Sequence, residues 1–380
     1  MMPDSAILNG AGLRRRKLTR SSVYRADAIL IGTGRMGADI AMRLAELDYE
    51  LPPELIAQHP LERRDEARLL VVDRKRGTFE HSRFYKLGDH LHQGDLLVLN
   101  DTRVFPARLP ALKESGGNVE LLLIRPLDEP EGAWLSLVRS HRPLKDGSRF
   151  SLPDGSVLTL VGYQRPGRAI IVSEDGHSLS AILERLGLLA LPHYIHRPAA
   201  EDDREAYQTV YAAQTGAIAA PTAGLHFTPE LFAGLAEQGI NRAHLTLHIG
   251  PGTFIPIRGP EVESHSMEAE WYTIPESTVR ALDHCHRIGG RVIAVGTSSS
   301  RALESYAITG DVEGFTGLFI HPGFRFKLVD ALITNFHTPR TTVLALVMAF
   351  AGRELILGAY REAVRRRYRF LSYGDAMLIQ

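Results

Sequence analysis

The chain has 380 residues, 44% of them apolar, which is enough for a sizeable core and, by length, for two domains. Lys+Arg and Asp+Glu both number 44, so the formal net charge is zero; that excludes a bulk attraction to nucleic acid or an anionic membrane, and any RNA contact has to come from a local patch. The single cysteine, Cys285, excludes an intramolecular disulfide, and no apolar run approaches the ~20 residues of a membrane span, so the chain is expected in the cytoplasm.

Residues 1–41 lack a convincing apolar period and read as an N-terminal extension, with Met42 a candidate start of the body. Within them Ala28-Ile29-Leu30-Ile31 runs into Gly32-Thr33-Gly34-Arg35-Met36-Gly37, the spacing of a dinucleotide-binding turn. Such a site needs a second strand closing on an acid ~20 residues later. Here Leu51-Pro52-Pro53 breaks the unit and the first acid closing a strand, Asp73, comes too late, so the glycines do not support a nicotinamide oxidoreductase.

Further along, 54–57 suggests a short helix, and 69–72 and 95–99 read as buried strands. Apolar runs at 119–124, 134–138, 157–161 and 169–172 are then separated by Gly116-Gly117, Asp146-Gly147, Asp154-Gly155 and Pro166-Gly167. Frequent strands between turn dipeptides are the signature of a small antiparallel barrel or sandwich. After Ser178 strands and helices alternate. Thr228-Pro229-Glu230 combines an N-cap, a first-position proline and a first-turn acid, opening a helix that runs to Gly239. Strands follow at 243–249, 291–295 and 331–334, with helices after the last two. The predicted fold is α/β: a main domain built from two segments, 42–104 and 179–380, around an inserted antiparallel β-barrel domain at 105–178.

Four polar loops sit beside these elements: 220–227, 248–254, 296–301 and 335–339. In α/β folds ligands bind beyond the carboxyl ends of strands, where glycine lets backbone approach closely and helix-start amides hold anions. The loop at Gly296 lacks the Gly-Lys-Ser/Thr ending of a P-loop and the Gly-x-Ser-x-Gly of a nucleophile elbow. Taken singly, each loop also reads as a turn or a helix cap. His226, His248 and His337 each fall in one of them, which favours acid/base work over a core role.

Asn100-Asp101-Thr102-Arg103 closes another strand; Arg103 or Arg108 can clamp a carboxylate or phosphate, or Arg103 can pair with Asp101. The run Arg365-Arg366-Arg367-Tyr368-Arg369 reads as a solvated helix face or a track for RNA phosphates. His284-Cys285-His286 lacks a second ligand pair, so no metal site is expected. From the residues alone the chain is a two-domain α/β enzyme with a multi-loop polar site, its substrate open.

The same loops resemble the S-adenosylmethionine:tRNA ribosyltransferase-isomerase family of queuosine biosynthesis. The resemblance runs from Tyr49-Glu50-Leu51-Pro52-Pro53-Glu54-Leu55-Ile56-Ala57-Gln58 through Asn100-Asp101-Thr102-Arg103-Val104, Pro221-Thr222-Ala223-Gly224-Leu225-His226-Phe227 and Ala294-Val295-Gly296-Thr297. It continues through Pro322-Gly323-Phe324 and Thr334-Asn335-Phe336-His337 to Tyr373-Gly374-Asp375-Ala376-Met377. There are departures: Thr338-Pro339-Arg340-Thr341-Thr342 stands where Leu-Pro-x-Ser-Thr is usual, Pro251 replaces a small residue and His321 a tyrosine.

The resemblance implies a tRNA substrate bearing aminomethyl-deazaguanine at the wobble position. Its amine would receive the ribosyl portion of S-adenosylmethionine, which is consumed as donor with no permanently bound cofactor; adenine and methionine leave and epoxyqueuosine forms. The sulfonium acidifies the 5′ carbon, so a base and a proton donor for adenine are needed, roles the resemblance puts among His226, His248, His337 and Asp375. Arg103, Arg108 and Arg301 would hold the methionine carboxylate or RNA phosphates. Thr222, Gly224, Gly250, Gly252, Thr297 and Ser298 would shape the nucleoside pocket, with Asn100, Asp101, Phe227, Thr253, Asn335 and Tyr373 also contacting substrate. A monomer is expected. The rival expectations are an S-adenosylmethionine-dependent tRNA methyltransferase, whose glycine loop and strand-ending acid are not found, and a non-catalytic RNA-binding module using the β insert and the Arg365 run.

Overall fold

The computed structural model describes residues 42–254, 257 and 259–380; the glycine run 32–37 and the rest of the extension lie outside the described residues. Two strands open the fold, β1 (Arg68–Asp73) and β2 (Thr78–Arg83), followed by β3 (Leu96–Asn100) and the short β4 (Thr102–Val104). Six strands then form a unit of their own: β5 (Arg108–Lys113), β6 (Asn118–Pro126), β7 (Trp134–Ser140), β8 (Arg149–Ser151), β9 (Val157–Arg165) and β10 (Arg168–Ser173). They close in the order β10-β7-β6-β5-β8-β9 with every pairing antiparallel, the barrel that the turn dipeptides predict.

The chain returns through α1 (Leu179–Leu186), α2 (Asp203–Ala206) and β11 (Gln214–Ala217), which pairs with β4. Next come α3 (Pro229–Glu237), β12 (Asn241–Leu247), β13 (Glu270–Thr273), α4 (Glu276–Arg287), β14 (Val292–Val295), α5 (Thr297–Thr309) and β15 (Glu313–Thr316). The last elements are β16 (Ala331–Asn335), α6 (Thr342–Ala351), α7 (Arg353–Arg365) and β17 (Ala376–Ile379). As its sequence predicts, α3 starts on Thr228, whose Oγ1 accepts from Leu231 N at 3.1 Å.

A nine-stranded sheet, β15-β13-β12-β3-β14-β16-β17-β1-β2, carries the site. Its centre, β12, β3, β14 and β16, is parallel. The period of two divides its residues between two cores. Leu96 and Val98 face α4 to α7, whereas Leu97 and Leu99 face Phe84, Phe227 and α3. Burial on both faces gives the central strands their unbroken apolar runs.

Four expectations are corrected. The helix at 54–57 is a single 3-10 turn, Pro53–Leu55, because Ile56 bridges Phe370 and Ala57 N donates to its carbonyl. The strand expected at 243–249 ends at Leu247; His248 and Ile249 already belong to the loop. β13, β15 and β17 make the sheet mixed rather than a plain strand-helix alternation. Asp101 and Arg103 form no ion pair: Asp101 accepts from Thr246 Oγ1 at 2.6 Å and Arg103 donates to the Ala212 carbonyl. Among the described residues no single helix is long and apolar enough to cross a membrane.

Candidate active site

The carboxyl ends of β14 and β16 open onto a cavity of about 330 Å3. That volume lies within the range of small-molecule sites, ~300–1,000 Å3. Thr222, Thr297, Ser298, Arg301, Asn335 and His337 line it, drawn from three of the four predicted loops; the fourth contributes Ile249. Gly296 enters α5 at φ 91°, a conformation that favours glycine, and so turns the chain sharply from strand to helix. The first-turn amides of Thr297, Ser298 and Ser299 consequently have no carbonyl of their own helix to bond, and the helix dipole favours an anion beside them.

Three residues on the cavity wall carry a buried polar atom with no hydrogen-bond partner among the described residues: Asn335 Oδ1, Thr342 Oγ1 and the Tyr207 hydroxyl. Asn335 is held from behind, its Nδ2 lying 3.2 Å from His226 Nε2 and donating to the Leu371 carbonyl at 3.1 Å. An amide held through its nitrogen in this way leaves its oxygen as the group aimed at a ligand.

The predicted histidines divide. His337 lines the cavity; its Nε2 is 2.8 Å from Thr334 Oγ1, and its backbone is tied by Tyr360 and Tyr49 hydroxyls. His226 stands behind Asn335 against the Phe84 ring. His248 stacks on Trp271 with Nδ1 2.8 Å from Thr102 Oγ1, outside the cavity wall. Burial pushes all three imidazoles down to about 4, so each is neutral at pH 7.

Asp375 does not line the cavity. Its carboxylate accepts from Arg68 N and Arg369 N and pairs with the Arg68 guanidinium, pinning β17 to β1. Asn100 is fully buried and likewise internal: its Nδ2 donates to the Leu247 carbonyl and Ser298 Oγ, and its Oδ1 accepts from Leu247 N and Thr102 N. Tyr373 donates to Asp203, whose carboxyl the Arg197 pair and its hydrogen bonds hold at about 2 against burial. Phe227 is core, and Gly224 leaves no room for a Cβ beneath the Tyr211 hydroxyl. Gly250 donates to Glu270, Gly252 lies against Glu268, and the Thr253 side chain lies outside the described residues.

The cations expected to clamp a carboxylate are engaged elsewhere. Arg108 sits on the barrel strand β5 and pairs with Glu120, and Arg103 is exposed against Ala212. Arg301 reaches the cavity, but its nitrogens donate to the Leu318 and Thr316 carbonyls and to Glu270. Sequence reasoning missed Glu270, Thr342, Tyr207 and His193, all on the cavity wall. They lie outside the four predicted loops; the usable signals were the paired histidines of His193-Tyr194-Ile195-His196 and the hydroxyl of Thr342 at the head of an apolar helix.

The architecture and the cavity together define an α/β protein with an inserted barrel and a polar small-molecule site at the carboxyl ends of its parallel strands. The queuosine biosynthesis protein family matches residues 44–379. The S-adenosylmethionine:tRNA ribosyltransferase-isomerase of Geobacter metallireducens is 51% identical over 342 residues, covering 89% of this chain and 100% of that protein. The protein of the same name from an Anaeromyxobacter species is 49% identical over 343 residues, covering 89% and 99%. A crystal structure of S-adenosylmethionine tRNA ribosyltransferase from Thermotoga maritima superposes with a TM-score of 0.51 at 39% identity, covering 88% of this chain and 100% of that one. The chain belongs to the queuosine biosynthesis protein family.

Proposed function

We propose that the chain transfers and isomerises the ribosyl group of S-adenosylmethionine onto aminomethyl-deazaguanine at the wobble position of tRNA. The observation that carries this reading is the cavity itself, walled by the family's loops and presenting the buried, unpartnered oxygens of Asn335, Thr342 and Tyr207. Neither rival, methyl transfer or RNA binding alone, draws support from the family match.

In this reading the α5 start receives the methionine carboxylate, and Asn335 Oδ1 and Thr342 Oγ1 hydrogen-bond the nucleoside. His337, neutral at pH 7, is the base for the acidified 5′ proton. Arg301 and Glu270 hold the loop that carries Gly250. His226 is a positioning residue: a neutral ring whose Nε2 accepts keeps the Asn335 nitrogen turned inward and its oxygen toward the ligand. His248 and Asp375 brace strand ends. The protein works as a cytoplasmic monomer, with no cofactor beyond the donor it consumes.

Incubation with S-adenosylmethionine and precursor-bearing tRNA, read by adenine release and nucleoside mass spectrometry, tests the reaction. S-adenosylhomocysteine in place of adenine would overturn it. His337→Ala is expected to lower kcat about 100-fold or more, with little change in KM for the donor, which separates chemistry from binding.

A further inference from the structure

We propose that a second, basic groove on the same sheet edge takes the phosphate backbone of the tRNA whose base is modified in the cavity; this rests on the reaction proposed above. The groove holds about 700 Å3 between the end of β2, the short helix Phe84–His90 and the turn after α7. Arg68, Arg83, Lys86, Arg366 and Tyr368 line it, opposed by Glu80 and Asp89.

Its position follows from the strand register. β17 runs antiparallel to β16, β1 parallel to β17, and β2 antiparallel to β1. The amino ends of β17 and β1 and the carboxyl end of β2 therefore share the edge on which β14 and β16 open the cavity. Asn335 on the cavity wall pairs with Ala376, Ala376 with Leu69, and Leu69 with Ser82 on the groove wall. Three inter-strand steps put the two sites about 14 Å apart, a distance a few nucleotides span.

The groove's charges are not internally satisfied. Asp375 neutralises Arg68, which lies over the Tyr368 ring. One carboxylate, Glu362, serves His81, Arg365 and Arg366 together. Arg83, Lys86 and Arg367 are exposed and form no ion pair among the described residues. Arg83 only donates to the Glu66 carbonyl. The neutral chain therefore carries a local cationic surplus where the sheet edge leads to the cavity, as phosphate recognition needs. Tyr85, 47% exposed between Arg83 and Lys86, adds a ring of the kind on which unpaired bases stack.

The test compares full-length Arg83→Gln/Lys86→Gln with wild type and with Arg139→Gln/Arg142→Gln on the barrel, all after thermal melts confirm folding. Binding of precursor-bearing tRNA is measured by fluorescence anisotropy across a salt series, and turnover at varied tRNA. The groove variant is expected to bind about tenfold more weakly with a salt slope shallower by about 1.4, two phosphate contacts at ~0.7 each. Its KM for tRNA should rise while kcat at saturating tRNA holds, and the barrel variant should match wild type. Unchanged groove-variant affinity and slope, or a loss shared equally by the barrel variant, overturns the groove. Wild-type protein that binds tRNA through the groove yet releases no adenine overturns the reaction and leaves the groove standing.

Discussion

At the scale of single residues, the neutral histidines couple the site to pH. His226 is 4% exposed, and burial lowers its pKa from 6.5 to about 4. In the unfolded chain it takes up a proton near pH 6.5, whereas the folded protein resists until about pH 4. The unfolded state therefore binds more protons across that window, and stability falls as pH drops through it. Above the unfolded value the contribution is fully present; below about 4 no further loss arises from this group. The share of the slope expected from His226 is of order 1 kcal/mol per pH unit, and His248 and His337 add theirs in the same window. The sum is read as a falling urea midpoint between pH 7 and 4.5. His226→Gln, which retains an acceptor for Asn335 but cannot titrate, should make that slope shallower by the share of His226, with His248 and His337 keeping theirs. Equal slopes in the two proteins would remove His226 from this role. Protonation of His226 also removes the acceptor that holds Asn335, so the loss of stability and the loss of a ligand-facing oxygen share one cause.

At the scale of elements, a buried ion pair joins β13 to α5. Glu270 and Arg301 are each less than 10% exposed and pair directly, with Glu270 also accepting from Gly250 N. Removing one partner strands a charge and costs about 3–5 kcal/mol, whereas removing both is often close to neutral. Glu270→Ala should therefore lower the urea midpoint sharply, and Glu270→Leu combined with Arg301→Met should recover most of it while donor binding stays weak. A double variant as unstable as the single one would show that packing, not charge, dominates here.

The same element shows what could be read in advance. Arg301 was legible because a Gly-Thr-Ser-Ser-Ser-Arg turn announces a strand-to-helix loop, but its partner lies on a four-residue strand that pattern reasoning passes over. β2, Thr-Phe-Glu-His-Ser-Arg, is an edge strand with little burial on either face, so it shows no apolar alternation. β17 is too short for a period, although all four of its residues are buried. Loop chemistry located the strand ends; it did not reveal which histidine faces the cavity, because that depends on packing against Phe84 and Trp271, two segments distant in the chain.

At the scale of the whole molecule, the question is where the inserted barrel ends. Its core takes in Leu179, Ile182 and Leu183 of α1, each at most 2% exposed, beside Leu109, Leu121, Phe150 and Leu158. Beyond α1, Arg108 and Leu188 exchange two backbone hydrogen bonds, at 3.1 and 2.8 Å, closing the neck between the barrel and the α/β layers. We therefore propose that the unit spans 105–187 rather than 105–178, with α1 as the plug of the barrel. Each large apolar side chain buried by that helix contributes roughly 1.5–3 kcal/mol, and a small domain has only about 5–15 kcal/mol in total. Among the described residues, Ile218, reaching in from the α/β side, and the partly buried Ala190 are the further core contributors that a fragment ending at 187 would lose. A fragment of residues 105–187 should unfold cooperatively in urea with little binding of an apolar dye, whereas 105–178 should melt broadly and bind the dye strongly. Matching cooperative transitions in the two fragments would return the boundary to 178. They would also show that the barrel strands close their core without the helix.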